Sequence, residues 1–277
     1  MEPRDVSMPQ AIPVYVINLD RRPDRLERIA QHLEARGVAW ERVSGCDGAA
    51  ASEADLAGVI RPRGPLGPLG VGDRACTVSH TLAWQRLVDG GASHALFLED
   101  DVYLGSDLSE TLAATDWIPA GAEAVKLEKY NAGSSRLLLG PVVGHTPGGR
   151  ALRRMRSRHM GGGAYILSRK GAELVLGWRG RMRVPVDHFL FNDTLSPVMA
   201  SLSPVITVPG MATQRKYAYD SDTASHNRAA MPKGWRRRMV TLQRGAFEVR
   251  RLPRQLLELA TGRAALIEVA FSETPSG

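Results

Sequence analysis

Apolar and polar positions along the chain switch between a period of two and a period near 3.6. Ile12 to Leu19, with the sequence Ile-Pro-Val-Tyr-Val-Ile-Asn-Leu, is a β-rich run and predicts a first strand. Beyond Asp20-Arg21-Arg22-Pro23-Asp24-Arg25 the spacing lengthens. Leu26, Ile29, Ala30 and Leu33 recur as on a helix, Pro23 suits its first turn, and Gly37 ends it. Val38 to Val43 reads as a second strand, which makes a βαβ unit. Ala54 to Ile60 predicts a short helix. Arg61 to Gly72 carries three prolines and four glycines and predicts irregular loop. Cys76 to Val88 predicts a helix with Val78, Leu82, Leu87 and Val88 near one face. Further on, Ala124 to Glu128 and Tyr165 to Leu167 predict strands, Gly140 to Arg156 a hairpin-like insertion, and Lys170 to Trp178 a helix. Val186 to Phe191 is a short apolar segment opened by an acid, and Pro204 to Val208 reads as the last strand. No internal repeat is present.

The most informative run lies between these. Ala95-Leu96-Phe97-Leu98 is continuously apolar and passes directly into Glu99-Asp100-Asp101-Val102. An unbroken apolar run suits a strand covered on both faces, as in a parallel sheet flanked by helices. Open parallel sheets hold ligands beyond the carboxyl ends of their strands. Three adjacent carboxylates repel one another, and a divalent cation would relieve that repulsion, with magnesium or manganese matching hard oxygen donors. The alternative is that Asp100 and Asp101 cap a turn or sit in solvent.

Composition narrows the classes. With 277 residues, 43% hydrophobic and 23% charged, the chain has the make-up of a soluble globular protein. No apolar run approaches the ~20 residues of a membrane span. Met1-Glu2-Pro3-Arg4-Asp5-Val6 has no apolar signal core, so a cytoplasmic location is expected, and residues 1–11 read as a disordered leader. Cys46 and Cys76 suit reduced thiols, and no paired zinc-site spacing occurs. The net charge of +7 is local: nine basic residues stand against two acids between Lys233 and Arg263, and the rest of the chain balances. A nucleic-acid-binding charge would not be confined in this way. From Trp235, Met239, Leu242, Leu252, Leu256 and Leu257 lie among arginines, and Pro253 is expected to divide the stretch in two. Such a basic amphipathic segment either docks on anionic membrane or packs its leucines on the domain.

In combination, several segments resemble glycosyltransferase family 25, which includes bacterial lipooligosaccharide and lipopolysaccharide galactosyltransferases. They are Val14 to Arg25, Ser79-His80 with Trp84, Leu96 to Val102, Ala164 to Gly171, and Pro185-Val186-Asp187-His188. The resemblance covers about residues 12–225. It implies a GT-A-like α/β fold, with a mixed, mostly parallel sheet flanked by helices over residues 12–228 and a basic helical extension over 229–277. It also implies a UDP-sugar donor, a glycolipid or oligosaccharide acceptor, and Mn2+ or Mg2+ held at the acidic strand end. Asp101 is the first choice as metal ligand, Glu99 and Asp100 come next, and Asp220, Asp222 or His226 could add another.

On the same resemblance, Asn18, Asp20, Arg21, Arg22 and Arg25 lie where a nucleotide would bind. Ser79, His80, Glu99, Asp100, Gly162 and Gly163 are further donor-side candidates. Each has a plainer reading: a charged helix N-terminus for the arginines, a structural hydrogen-bonder for His80, a tight strand entry for the glycines. Inverting sugar transfer needs a carboxylate to take the acceptor's proton. Asp187 is the candidate base, or else the N-cap of the segment that follows, and Glu128 is the second candidate. The function expected is transfer of a hexose, galactose from UDP-galactose, to a cell-surface glycan, at the inner face of the cytoplasmic membrane. The alternatives are a catalytically silent carbohydrate- or nucleotide-binding adaptor of the same fold and a nucleotidyltransferase. No G-x-x-x-x-G-K loop supports the last.

Overall fold

A computed structural model of the chain describes residues 12–65, 67–130, 134–214 and 235–275. Its first half runs β1 (Val14–Asn18), α1 (Pro23–Glu34), β2 (Glu41–Ser44), α2 (Glu53–Ala57), β3 (Arg63–Gly64), β4 (Gly67–Pro68), α3 (Val71–Gly90), β5 (His94–Glu99), β6 (Tyr103–Leu104), α4 (Leu108–Leu112) and β7 (Ala124–Lys126). Then come β8 (Ser135–His145), β9 (Ala151–Met155), β10 (Ala164–Ser168), α5 (Arg169–Leu176), α6 (Val186–Phe191), α7 (Met199–Leu202), β11 (Val205–Val208), β12 (Ala212–Thr213), α8 (Trp235–Ala260) and β13 (Ala265–Val269).

Among the described residues nine strands form one sheet, in the order β13-β8-β9-β11-β7-β10-β5-β1-β2. Strands β1, β2, β5, β7, β8 and β11 share a direction, and β9, β10 and β13 oppose it. This is the mixed, largely parallel α/β class that the sequence predicts. The continuous apolar runs are explained by burial on both sides. Tyr15, Ile17, Ala95, Phe97, Tyr165 and Leu167 pack on one face with Trp84 and Leu87 of α3. Val14, Val16, Leu96, Leu98, Ala164 and Ile166 pack on the other with Ile29 and Leu33 of α1. Successive residues of a strand point to opposite faces, so neither face tolerates a polar position here.

The connections place the site. From β1 the chain crosses through α1 to β2 on one side, then returns through α3 on the opposite face to β5 on the other side of β1. Where connections diverge like this, a crevice opens beyond the carboxyl ends of the two strands. Asn18 ends β1 and Glu99 ends β5, side by side.

Several expectations are corrected. Helix α3 begins at Val71, five residues before the predicted start. Its first turns bury polar groups that break the apolar period, including Arg74, whose guanidinium bonds both oxygens of Glu53 at 2.7 Å. The Pro/Gly-rich stretch carries the two-residue strands β3 and β4. Strand β11 is not the last. After the C-terminal helix, β13 pairs antiparallel with β8, Leu266 opposite Leu138, and forms an exposed edge that an amphipathic count passes over. Helix α8 runs unbroken through Pro253, which is exposed and removes one backbone hydrogen bond from the helix. Cys46 and Cys76 are free thiols. The leader 1–11, Asp220, Asp222 and His226 lie outside the described residues.

Candidate active site

The crevice encloses about 340 Å³ between the ends of β1 and β5, the first turns of α3, the glycines before β10 and the start of α6. Of the residues expected at a donor, metal or catalytic site, Asn18, Arg21, Arg25, Ser79, His80, Glu99, Asp100, Asp101, Gly162 and Asp187 line it. Asp20, Arg22, Gly163 and Glu128 do not. Asp20 is exposed and pairs with Arg42 and Ser44, and Arg22 pairs with Asp24 at 2.8 Å. Gly163 works through its backbone, donating to Glu128 Oε2 at 2.9 Å and accepting from Glu99 N at 2.8 Å. Arg21 holds Asp47, another lining residue, at 2.7 Å. Ser79 Oγ accepts from Cys46 N at 2.8 Å and so pins the loop after β2.

The three strand-end acids differ in their surroundings. Asp100 is buried and engaged: Asn18 Nδ2 donates to it at 2.8 Å and Arg25 Nη1 lies at 3.3 Å. Burial pushes its carboxyl up, opposed by Asn18 and Arg25. Glu99 is oriented from three sides. Gln214 Nε2 donates to Oε2 at 2.7 Å, and His80 Nε2 (3.2 Å) and Cys76 Sγ (3.8 Å) both reach Oε1. Behind it, Tyr165 OH accepts from Trp84 Nε1 at 2.7 Å and lies 2.8 Å from His80 Nδ1. The hydroxyl hydrogen therefore goes to Nδ1, which leaves the proton on Nε2 to point at Glu99. His80 has no accessible surface; its plainer structural reading describes its contacts. Cys76, His80 and Glu99 come close enough to hold a metal. Against that use, the His80 nitrogen is a donor, and burial and the Glu99 charge push the Cys76 thiol well up.

Asp101 is the exception. Its Oδ1 is buried with no hydrogen-bond partner, and its Oδ2 lies 3.9 Å from Arg25 Nη1. Burial, then the charges of Glu99 and Asp100, push its carboxyl up to about 8. An orphaned oxygen in a crowd of carboxylates, facing a cavity, fits a hard divalent cation.

Opposite the acids, the glycine run is held by a buried pair. Lys126 Nζ bonds Gly161 O and lies 3.3 Å from Glu128 Oε2, both side chains being fully buried. Gly161 has φ +87, and a Cβ there would stand 2.4 Å from Glu128 Oε1, so only glycine fits. Its N–H donates to Asp187 Oδ2 at 3.3 Å, while His188 N donates to Oδ1 at 2.7 Å. Pro185, not Asp187, is the N-cap of α6, so Asp187 sits within the first turn with its carboxylate at the cavity. Gln214, Cys76, Asp47 and Lys126 were not found from sequence. Only Lys126, a lysine ending an apolar strand two residues before an acid, carried a signal.

A crevice at a strand-order switch, walled by carboxylates and by glycine backbone, marks an α/β protein built to hold a polar ligand at its strand ends. The model of glycosyltransferase family 25 (LPS biosynthesis protein) matches residues 11–190, and the chain belongs to that family. It is 28% identical over 191 residues to the lacto-N-neotetraose biosynthesis glycosyltransferase LgtB of Neisseria gonorrhoeae, covering 65% of this chain and 66% of that one. It is 22% identical to the lipooligosaccharide biosynthesis protein lic2B of Haemophilus influenzae, over 77% and 80% of the two chains. It is 27% identical to human procollagen galactosyltransferase 2, over 69% of this chain and 31% of the other. The chain thus spans about two thirds of the length of LgtB. Among solved structures, a glycosyltransferase involved in glycosylation of the major capsid of PBCV-1 aligns with a TM-score of 0.40 at 8% identity, over 80% of this chain and 98% of that one.

Proposed function

We propose that the chain is an inverting hexosyltransferase that moves galactose from UDP-galactose to a lipooligosaccharide- or lipopolysaccharide-type acceptor. One observation carries this reading: the unpartnered, buried Asp101 oxygen beside Glu99 and Asp100 at the mouth of the β1–β5 crevice. Asp101 would hold Mn2+ or Mg2+, and the cation would take up charge on the diphosphate leaving group. Asn18 and Arg25 keep Asp100 in place beneath it, and Glu99, tied by His80 and Gln214, forms the adjoining wall. Arg21, at the rim, supplies a guanidinium for the nucleotide's phosphates. Asp187 accepts the proton of the attacking hydroxyl. It lines the cavity, whereas Glu128 is sealed behind Gly161 against Lys126. Release of UDP from a panel of UDP-sugars, with manganese, tests the whole. UDP-galactose should be the preferred donor, and Asp101→Ala should abolish turnover. Equal turnover in wild type and variant would remove the metal from this reading.

We further infer that the chain docks on anionic membrane through α8. No helix among the described residues is long and apolar enough to cross a membrane. Helix α8 instead turns Leu242, Val249, Leu252, Leu256, Leu257 and Leu259 outward, between 37% and 67% exposed, beside arginines. Binding to vesicles should need anionic lipid and weaken with salt. Vesicle binding that ignores Leu252→Ser and Leu256→Ser together would exclude this face.

A further inference from the structure

A second cavity, of about 210 Å³, lies between α8, β9 and α7 and shares no lining residue with the strand-end crevice. Arg154, Arg156, Arg251 and Arg254 line it with Asp193 and Glu258, four guanidiniums against two carboxylates among the described residues. Arg154 and Arg251 meet neutral acceptors. Arg154 Nη1 donates to Ser203 O at 2.6 Å and Oγ at 2.8 Å, and its Nη2 to Ala120 O at 3.1 Å. Arg251 donates to the backbone carbonyl of Asp193. Arg254 meets the Glu258 carboxylate at 3.1 Å, from the solvent-facing rim. Arg156 Nε is buried with no hydrogen-bond partner. Burial and, after it, the charge of Arg156 lower the proton affinity of Arg154.

We propose that this cavity binds a phosphate group carried on a larger molecule, with Arg156 and Arg254 as its principal ligands. A phosphomonoester dianion matches the excess of two positive charges, and guanidinium forks suit its oxygens. The volume exceeds that of a bare phosphate, so the group arrives attached, either to a sugar or to a lipid headgroup. The site does not depend on the reading of the strand-end crevice.

Titration calorimetry on the full chain with inorganic phosphate and glucose 6-phosphate, beside flotation with phosphatidylcholine vesicles with and without phosphatidic acid, tests it. Arg156→Gln and Arg254→Gln should each weaken binding about tenfold or more, the loss of one charge-assisted hydrogen bond. Affinity should rise with pH through about 6, where a phosphomonoester takes its second charge. Sensitivity in the soluble arm assigns a sugar or free phosphate; sensitivity with phosphatidic acid vesicles that is absent with phosphatidylserine vesicles of equal surface charge assigns a headgroup, and equal sensitivity with both, without a soluble-arm effect, overturns the cavity site. Binding that ignores both substitutions in both arms, or no binding in either, overturns the proposal. If Arg156→Gln does not fold, Arg254→Gln at the exposed rim decides alone.

Discussion

Substitution Tyr165→Phe isolates one oxygen atom at the centre of the chain. Tyr165 is fully buried in β10, stacked 5.4 Å from Phe97 and 5.7 Å from His80, with Phe191 edge-on at 5.7 Å. Phenylalanine keeps those ring contacts and removes only the hydroxyl. Two buried groups then lose their partner at once: Trp84 Nε1, 2.7 Å away, and His80 Nδ1, 2.8 Å away. A buried polar group left unsatisfied costs about 1–3 kcal/mol, so the pair should cost roughly 2–6 kcal/mol. For a chain of this size that lowers the melting temperature by roughly 5–15 °C. Thermal unfolding by circular dichroism measures it. A second readout separates the fold from the site. With Nδ1 free of its partner, His80 no longer presents a fixed N–H to Glu99, so turnover at a temperature where the variant is folded should also fall. A variant that melts with the wild type and turns over normally would refute the hydrogen-bond chain from Trp84 to Glu99.

Asp187→Asn preserves shape and removes the proton acceptor. Transfer should drop by about 10²-fold or more while UDP binding by calorimetry is unchanged; loss of UDP binding would make Asp187 a structural residue. His159 is buried, and burial first, then the charges of Lys126 and Lys129, hold its imidazole down at about 2 against 6.5 when exposed. The unfolded chain therefore binds a proton that the folded one refuses. This stability is complete above pH 6.5 and is lost by about 1.4 kcal/mol per unit as pH falls below it. The difference in urea-unfolding stability between wild type and His159→Leu should change with that slope from pH 6 to pH 4, because the raised Asp101 carboxyl contributes with the opposite sign to both proteins alike; an equal slope in both proteins counts against the assignment.

The fold was legible where burial is two-sided. Strand β5 lies under helices on both faces, so Leu96 and Leu98 serve one core and Ala95 and Phe97 the other, and the run has no polar position to confuse it. The same arithmetic placed β1 and, with Pro23 and Gly37, α1. Helix α3 was harder to bound, because its first turns bury Arg74, Thr77, Ser79 and His80 against specific partners, which a count of apolar positions scores as solvent. The acids of the site were legible because they end a strand. Their partners were not: Gln214 is 115 residues from Glu99, and Tyr165 is 81 from Trp84. Nothing local marks a glutamine or a tyrosine for such a contact; the sheet order creates it.

Helix α8 shows a different limit. Its leucines and arginines recur at helical spacing, so the sequence specifies that the two kinds separate to different faces. Periodicity is unchanged when a helix is turned about its own axis, so it cannot say which face meets the domain. The usual answer, leucines inward, presumes an apolar floor. Beneath α8 lies instead a mixed surface, in which the carbonyls of Asp193 and Ser203 stand beside Met155 and Met199. Arg251 spends its guanidinium there, and Leu252, Leu256 and Leu259 are left outside. An apolar stripe facing water is a standing cost that a partner surface would remove, whereas arginines drawn inward around a cavity need an anion. The orientation of this single helix thus generates both surfaces for which ligands are proposed, and reversing it would erase both together.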